Sequence, residues 1–196
     1  MLSKYFLNFM NDGLNIYNKE NKVASIHGWS YPYFFKKNLP NYFFIKGADC
    51  WGWATWKRAW KKINLDGKNI YSAIKARKIE DSFNFNNSYD YLSMLKDQIK
   101  KKNNSWAIRW YGSMFLENMY TLYPKISFVK NIGTNYGIHS NYDYLNLGNT
   151  IIANKYKKIS KIKIEESNIA RQEIEIFFKK NYLFRLKVFI KKIFKC

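Results

Sequence analysis

At 196 residues the chain has the length of one ordinary domain, and a hydrophobic content of 47% excludes wholesale disorder. Its two cysteines, Cys50 and Cys196, form neither a CxxC pair nor zinc-finger spacing, which excludes a disulfide framework and suits a reducing compartment. The formal charge of +20 attracts polyanions (nucleic acid, anionic lipid or nucleotide diphosphates) without choosing among them, and most of the lysines read as solvated surface.

Residues 3–19 read as a helix with Phe6, Met10, Leu14 and Tyr17 on one face and Ser3 as a candidate cap. Met1 to Met10 is too short and too polar for the apolar region of a signal peptide. A strand candidate runs from Lys22 to His27 and ends at Gly28; a loop with Pro32 and Pro40 follows, then a second strand from Tyr42 to Lys46. Gly47 to Trp53 reads as a loop feeding a helix, because Trp53, Trp56, Trp60 and Ile63 recur at helical spacing. Further helices are expected over Ser88–Lys101, with Leu92, Leu95 and Ile99 inward, and over Trp106–Asn118. Two short strands, Tyr120–Tyr123 and Ile126–Asn131, are split by Pro124, and a polar loop runs from Gly133 to Asn146. The expected core includes Trp56, Trp60, Leu92, Leu95, Ile99, Trp110 and Phe115.

The tail has a different pattern. From Ile176 onward, Lys187, Lys191 and Lys195 share one helical face, and Tyr182, Leu186, Phe189, Ile190 and Ile193 share the other. A basic amphipathic helix of this kind lies on an anionic membrane surface, or docks on its own domain with lysines facing water. No window approaches 18 uninterrupted apolar residues, so no transmembrane helix is expected.

Three constellations are candidates for chemistry. Four Trp fall between Trp51 and Trp60, and Gly52 between two indoles would let backbone approach a ligand closely. Indoles stack on the apolar faces of sugars while their N–H groups bond hydroxyls, so Trp51 and Trp53 are candidate sugar contacts; a Trp-rich core is the plain alternative. Asp97 near the end of its helix is a candidate general base, and Arg109 a candidate fork for a diphosphate. His139, in the polar loop after Asn131-Ile132-Gly133, is a candidate ligand for a metal or a phosphate.

The run from Cys50 to Trp60, Asp97-Gln98, Ser105-Trp106-Ala107-Ile108-Arg109-Trp110, Leu122-Tyr123-Pro124 and Asn131-Ile132-Gly133, in this order, resembles the C-terminal half of bacterial family 2 sugar transferases. Those enzymes are similar to N-acetylglucosaminyltransferase I in their GT-A fold. The resemblance covers most of residues 4–140. It implies an α/β chain: an incomplete GT-A nucleotide-diphospho-sugar transferase domain over residues 1–140, followed by a basic helical tail over residues 141–196 with the amphipathic helix at its end. It further implies Asp97 as the catalytic base of an inverting transfer, and Trp51, Gly52, Trp53, Trp106, Arg109 and Trp110 as substrate contacts. The implied partners are a nucleotide-sugar donor and a glycan or glycolipid acceptor, in surface polysaccharide or lipopolysaccharide synthesis. The implied location is the cytoplasm, peripheral on the inner face of the cell membrane.

The family holds its donor diphosphate through a divalent metal, Mn or Mg, bound by a DxD-type motif. This chain contains no Asp-x-Asp. By the resemblance the motif belongs just upstream of the first helix, so a separate N-terminal half is the implied source of the donor site. Two other readings stand beside this one: a non-enzymatic basic module binding anionic membrane or nucleic acid, and an inactive truncated relic. No RRM, KH or helix-turn-helix signature supports specific nucleic-acid binding.

Overall fold

The computed structural model describes residues 1–32, 34, 37–132 and 150–193, with side chains as far as residue 180. Among these residues the chain is mixed α/β, with one four-stranded mixed sheet and seven helices. The elements in chain order are α1 (Phe6–Ile16), β1 (Val23–His27), β2 (Tyr42–Ile45), β3 (Trp53–Thr55), α2 (Lys57–Trp60), α3 (Gly67–Ala76), α4 (Glu80–Phe83), α5 (Tyr91–Ile99), α6 (Trp106–Leu116), β4 (Tyr120–Pro124) and α7 (Asn168–Ile193).

The sheet order is β2-β4-β1-β3. β1 runs parallel to β4, and both outer pairings are antiparallel. Every residue of β1 is buried, as an inner strand covered on both faces requires. The two-residue period of β2 and β4, with a register irregularity in β1 between Val23 and Ser25, divides the core into two layers. Ala24, Phe43, Ile45 and Tyr123 face one cluster, which takes in α3, α5, α6 and the start of α7 through Ile70, Leu95, Trp110 and Phe178. Val23, Ile26, Phe44 and Leu122 face the other, closed by Phe9, Met10 and Tyr17. Ser25 and Thr121, also buried, satisfy each other's hydroxyls across the β1–β4 pair at 2.8 Å.

Several expectations are corrected. Residues Trp53–Thr55 form a strand, not the start of a helix, because they pair with His27, Ile26 and Ser25 of β1. The helical spacing of the tryptophans is thus accidental at its first member. Trp56 precedes α2 in an extended conformation and donates from Nε1 to the Leu14 carbonyl, tying α2 to α1. Ser3 is not the cap of α1. That position is Tyr5, while Ser3 Oγ donates to the Ala153 carbonyl at 2.7 Å. Residues 126–131 form no ladder strand. Their backbone groups are shared between two neighbours: Phe128 N–H donates to Gly28, and its carbonyl accepts from Ser3. Leu92, Leu95, Trp110 and Phe115 are buried as expected; Trp56 and Ile99 are half-buried, and Trp60 is 43% exposed.

The segment set off at residue 141 contributes to both layers. Ala153 and Ile159 are buried against α1 and the sheet, with Tyr156, Ile162 and Ile164 packed beside them. Ala170, Ile174, Phe177 and Phe178 of α7 enter the opposite layer. The lysine and apolar faces expected beyond Tyr182 lie outside the described side chains, as does Cys196. Among the described residues no helix is long and apolar enough to cross a membrane.

Candidate functional site

Beyond the C-terminal end of β2 the chain turns through Lys46–Gly52 before returning as β3. This turn forms one wall of a cavity of about 180 Å³. The opposite wall is made by Tyr89, Tyr91 and Met94, by Ser105, Ala107, Ile108 and Tyr111 of the α6 region, and by Phe178 of α7. Trp29, Tyr31, Trp51 and Phe85 complete the aromatic surround. The volume lies below the ~300–1,000 Å³ usual for drug-sized ligands, so it suits a single ring-sized group.

Among the described residues, Asp49 is the one charged residue in this lining. Its Oδ2 accepts from Tyr123 Oη at 2.8 Å and from Tyr31 Oη at 3.2 Å. Tyr123 Oη in turn accepts from the Asp49 N–H at 3.3 Å, which fixes the loop as well as the carboxyl. Burial raises the pKa of Asp49 above the usual carboxylate range, opposed in part by the hydrogen bonds from Tyr123 and Tyr31. Burial and then the neighbouring carboxylate push both phenols well above their ordinary value, so both remain donors. A half-buried carboxyl in an apolar wall, with raised proton affinity, has the character of a general base or of a counter-ion awaiting a partner.

His27, at the end of β1, positions the adjacent Trp51. The ring is fully buried, and its Nε2 accepts from the Trp51 backbone N–H at 3.1 Å. Accepting at Nε2 assigns the proton of the neutral ring to Nδ1, which has no hydrogen-bond partner among the described residues. Burial depresses its pKa to about 3, so the imidazole is neutral at physiological pH. Trp51 then packs edge-on to Trp29, with ring centroids 5.2 Å apart. The Cys50 thiol, also in the lining, is pushed up to about 11 by burial and then by Asp49, which keeps it un-ionised and unreactive at neutral pH.

The structure brings only part of the expected set to this cavity. Trp51 lines it, with Gly52 next in the chain. Gly52 has φ +62°, and a Cβ there would come within 2.5 Å of Val129 Cγ2. The space freed by the missing side chain is filled by Val129 and Phe6 rather than left open to a ligand. Trp53, Trp106 and Trp110 lie instead in a separate indole cluster with Trp60, at centroid distances of 5.4–6.2 Å. Trp110 is fully buried there, and Trp106 is 39% exposed. Arg109 donates from Nη1 to the Leu65 carbonyl at 3.0 Å, so its fork is partly engaged in holding the turn before α3.

Asp97 does not line the cavity. It sits in the last turn of α5 with its side chain 50% exposed, and Lys102 Nζ is 3.9 Å from its Oδ1. His139 lies outside the described residues. The carboxylate that the sequence reading passed over is Asp49. Its signal was position: a carboxylate two residues after a glycine, where an aromatic strand ends, and two before Trp51.

The described residues of the cavity do not fit a divalent metal. One carboxylate, with two phenols already on one of its oxygens, falls short of the several oxygen ligands a hard cation needs. Among the described residues no group of three or more His, Cys, Asp and Glu side chains could hold a metal ion. Nor, among the described residues, does any Lys or Arg line the wall to receive a phosphate. No protein-family model, curated protein or solved structure matches the chain.

Proposed function

We propose that this chain is the acceptor-holding part of a nucleotide-sugar glycosyltransferase, the C-terminal half of a GT-A domain acting on a polysaccharide or glycolipid acceptor. The observation that carries the reading is a carboxylate at the wall of a ring-sized aromatic cavity, with two phenols holding one oxygen and acceptor positions remaining on the other. Aromatic faces pack against the C–H faces of a pyranose, and the carboxylate takes a hydrogen bond from a ring hydroxyl. In the transfer, Asp49 accepts the proton of the attacking hydroxyl as its oxygen bonds to the anomeric carbon. The nucleoside diphosphate leaves with the electron pair of the broken bond. Asp49 thus takes the role that the resemblance gave to Asp97. On this reading the donor phosphates and their Mn or Mg ion are held outside this cavity, which among the described residues offers them neither a cation nor a ligand set.

The test is a tryptophan-fluorescence titration of the full chain with neutral monosaccharides and their methyl glycosides. Trp51 and Trp29 report on the cavity. Saturable quenching is expected, weakened about 10-fold by Asp49→Asn, the scale of one hydrogen bond to a charged group (~1.5–3 kcal/mol). Absence of saturable binding by any sugar, with the chain folded, removes the reading.

A further inference from the structure

The chain carries a net charge of +20, yet among the described residues the cavity wall contains no Lys, Arg or His, and its one charged side chain is acidic. A ligand bearing phosphate or carboxylate would enter against Asp49 with no cation to receive it. A ligand bearing an ammonium group meets the opposite situation. Its charge is matched by Asp49, and its C–H and N–H groups face the negative π surfaces of rings such as Trp29, Trp51, Phe85 and Tyr91. Arg171, whose guanidinium lies 3.8 Å from the Phe85 ring centroid, does not upset this balance. It is itself paired with Glu175 at 3.0 Å and Glu166 at 3.5 Å.

Acceptor capacity on the carboxylate is sufficient for both tasks. An ionised carboxylate offers about four lone-pair positions. Tyr31 and Tyr123 use two of them, both on Oδ2. The remaining positions serve one hydroxyl and one ammonium group on adjacent ring carbons. From this geometry we infer that the cavity selects a ring carrying a protonated amine, an amino sugar with its amine free, and rejects acidic sugars. The inference rests on the reading that the cavity takes a sugar ring, and it adds the charge that ring must carry.

The experiment titrates the full chain with glucosamine, glucose, N-acetylglucosamine, glucuronate and cyclohexylammonium, at a pH where the amines are protonated. Glucosamine is expected to bind at least 10-fold more tightly than glucose or N-acetylglucosamine, with cyclohexylammonium competing and glucuronate not binding. Asp49→Asn brings glucosamine down to the level of glucose. Should that variant fail to fold, acidifying the unmodified chain makes the same test. The amines stay charged while Asp49 gains its proton, so the preference must vanish; a preference that persists overturns the inference. Equal binding of glucose and glucosamine overturns it while leaving the sugar reading standing. Binding of cyclohexylammonium with no sugar bound overturns both, because a cation site that takes no glucosamine selects no amino sugar. No binding by any of the five overturns both.

Discussion

Two aromatic regions lie on either side of the Trp51–Trp53 segment, and they differ in what accompanies the rings. Around Asp49 the rings enclose a carboxyl whose hydrogen bonds come from two phenols, and space remains beside it. Around Trp110 four indoles pack on one another; among the described residues they have no ionised partner, and the buried Trp110 Nε1 has no hydrogen-bond partner. Aromatic density is therefore no guide to function in this chain. The first region holds a polar group under burial stress and a place for a ligand. The second is mainly packing between β3, α2 and α6, with Trp60 and Trp106 half in solvent.

Substitutions should separate the two regions, and the largest effect belongs to the packing cluster. Trp110→Ala removes a fully buried indole and is expected to cost about 3–5 kcal/mol by chemical denaturation. Sugar affinity of the folded fraction should stay within about two-fold. A selective loss of affinity with stability intact would make the indole cluster the site. Gly52→Ala strikes the segment joining the regions. It forces a positive φ on a residue with a Cβ and drives that Cβ into Val129, for an expected loss of about 2–4 kcal/mol.

Effects that grow or shrink with pH are expected from the two titrating groups on the cavity side, with opposite signs. The pKa of His27 is about 3 when folded and near 6.5 when unfolded. Below pH 6.5 the unfolded chain therefore binds a proton that the folded chain does not. Stability from this group is complete above pH 6.5 and falls as pH drops toward 3, by about 1.4 kcal/mol per unit. His27→Gln should flatten that slope, measured as denaturation midpoints across pH. Asp49 has its folded pKa raised, so its contribution falls as pH rises from the unfolded carboxylate value through the folded one. Asp49→Asn should accordingly hold or raise Tm at pH 7, by about 2–4 °C for each kcal/mol recovered, while weakening ligand binding. A drop in Tm would mean that the charge is needed for folding and is no sign of a site.

Much of the scaffold was legible because period and caps agree with burial. Leu92 and Leu95 mark the inward face of α5, and α6 starts at Trp106 as expected, capped by Ser105; α5 starts at Tyr91, three residues after the expected Ser88, where the Asp90 side chain caps it. α3 went unread although Asp66 caps it and Ile70 and Ile74 bury one face. It lies in the stretch between Ile63 and Ser88, where no element is expected from the sequence. The tryptophan spacing misled because a three-residue strand paired to β1 leaves no periodic trace. The cavity was only half legible. Trp51 was named from its neighbours, but the environment of Asp49 is assembled by Tyr31 and Tyr123, 18 and 74 residues away, and no local pattern announces a long-range pairing. Asp97 had the opposite fault: a carboxylate near a helix end looks available from the sequence, but its side chain is in solvent and away from the cavity lining.

Asp97→Asn is therefore the smallest expected change and the sharpest control. The Lys102 contact is a loose, solvent-exposed ion pair of a kind worth about 0–1 kcal/mol, and the Lys102 backbone N–H bonds the Asp97 carbonyl whatever the side chain. Thermal denaturation should place the variant within about 0.5 kcal/mol of the parent, and fluorescence titration should return the parent affinity for sugars. If Asp97→Asn abolished binding while Asp49→Asn left it intact, ligand recognition would depend on the exposed carboxylate. Asp49 would then be a structural partner of two tyrosines and nothing more.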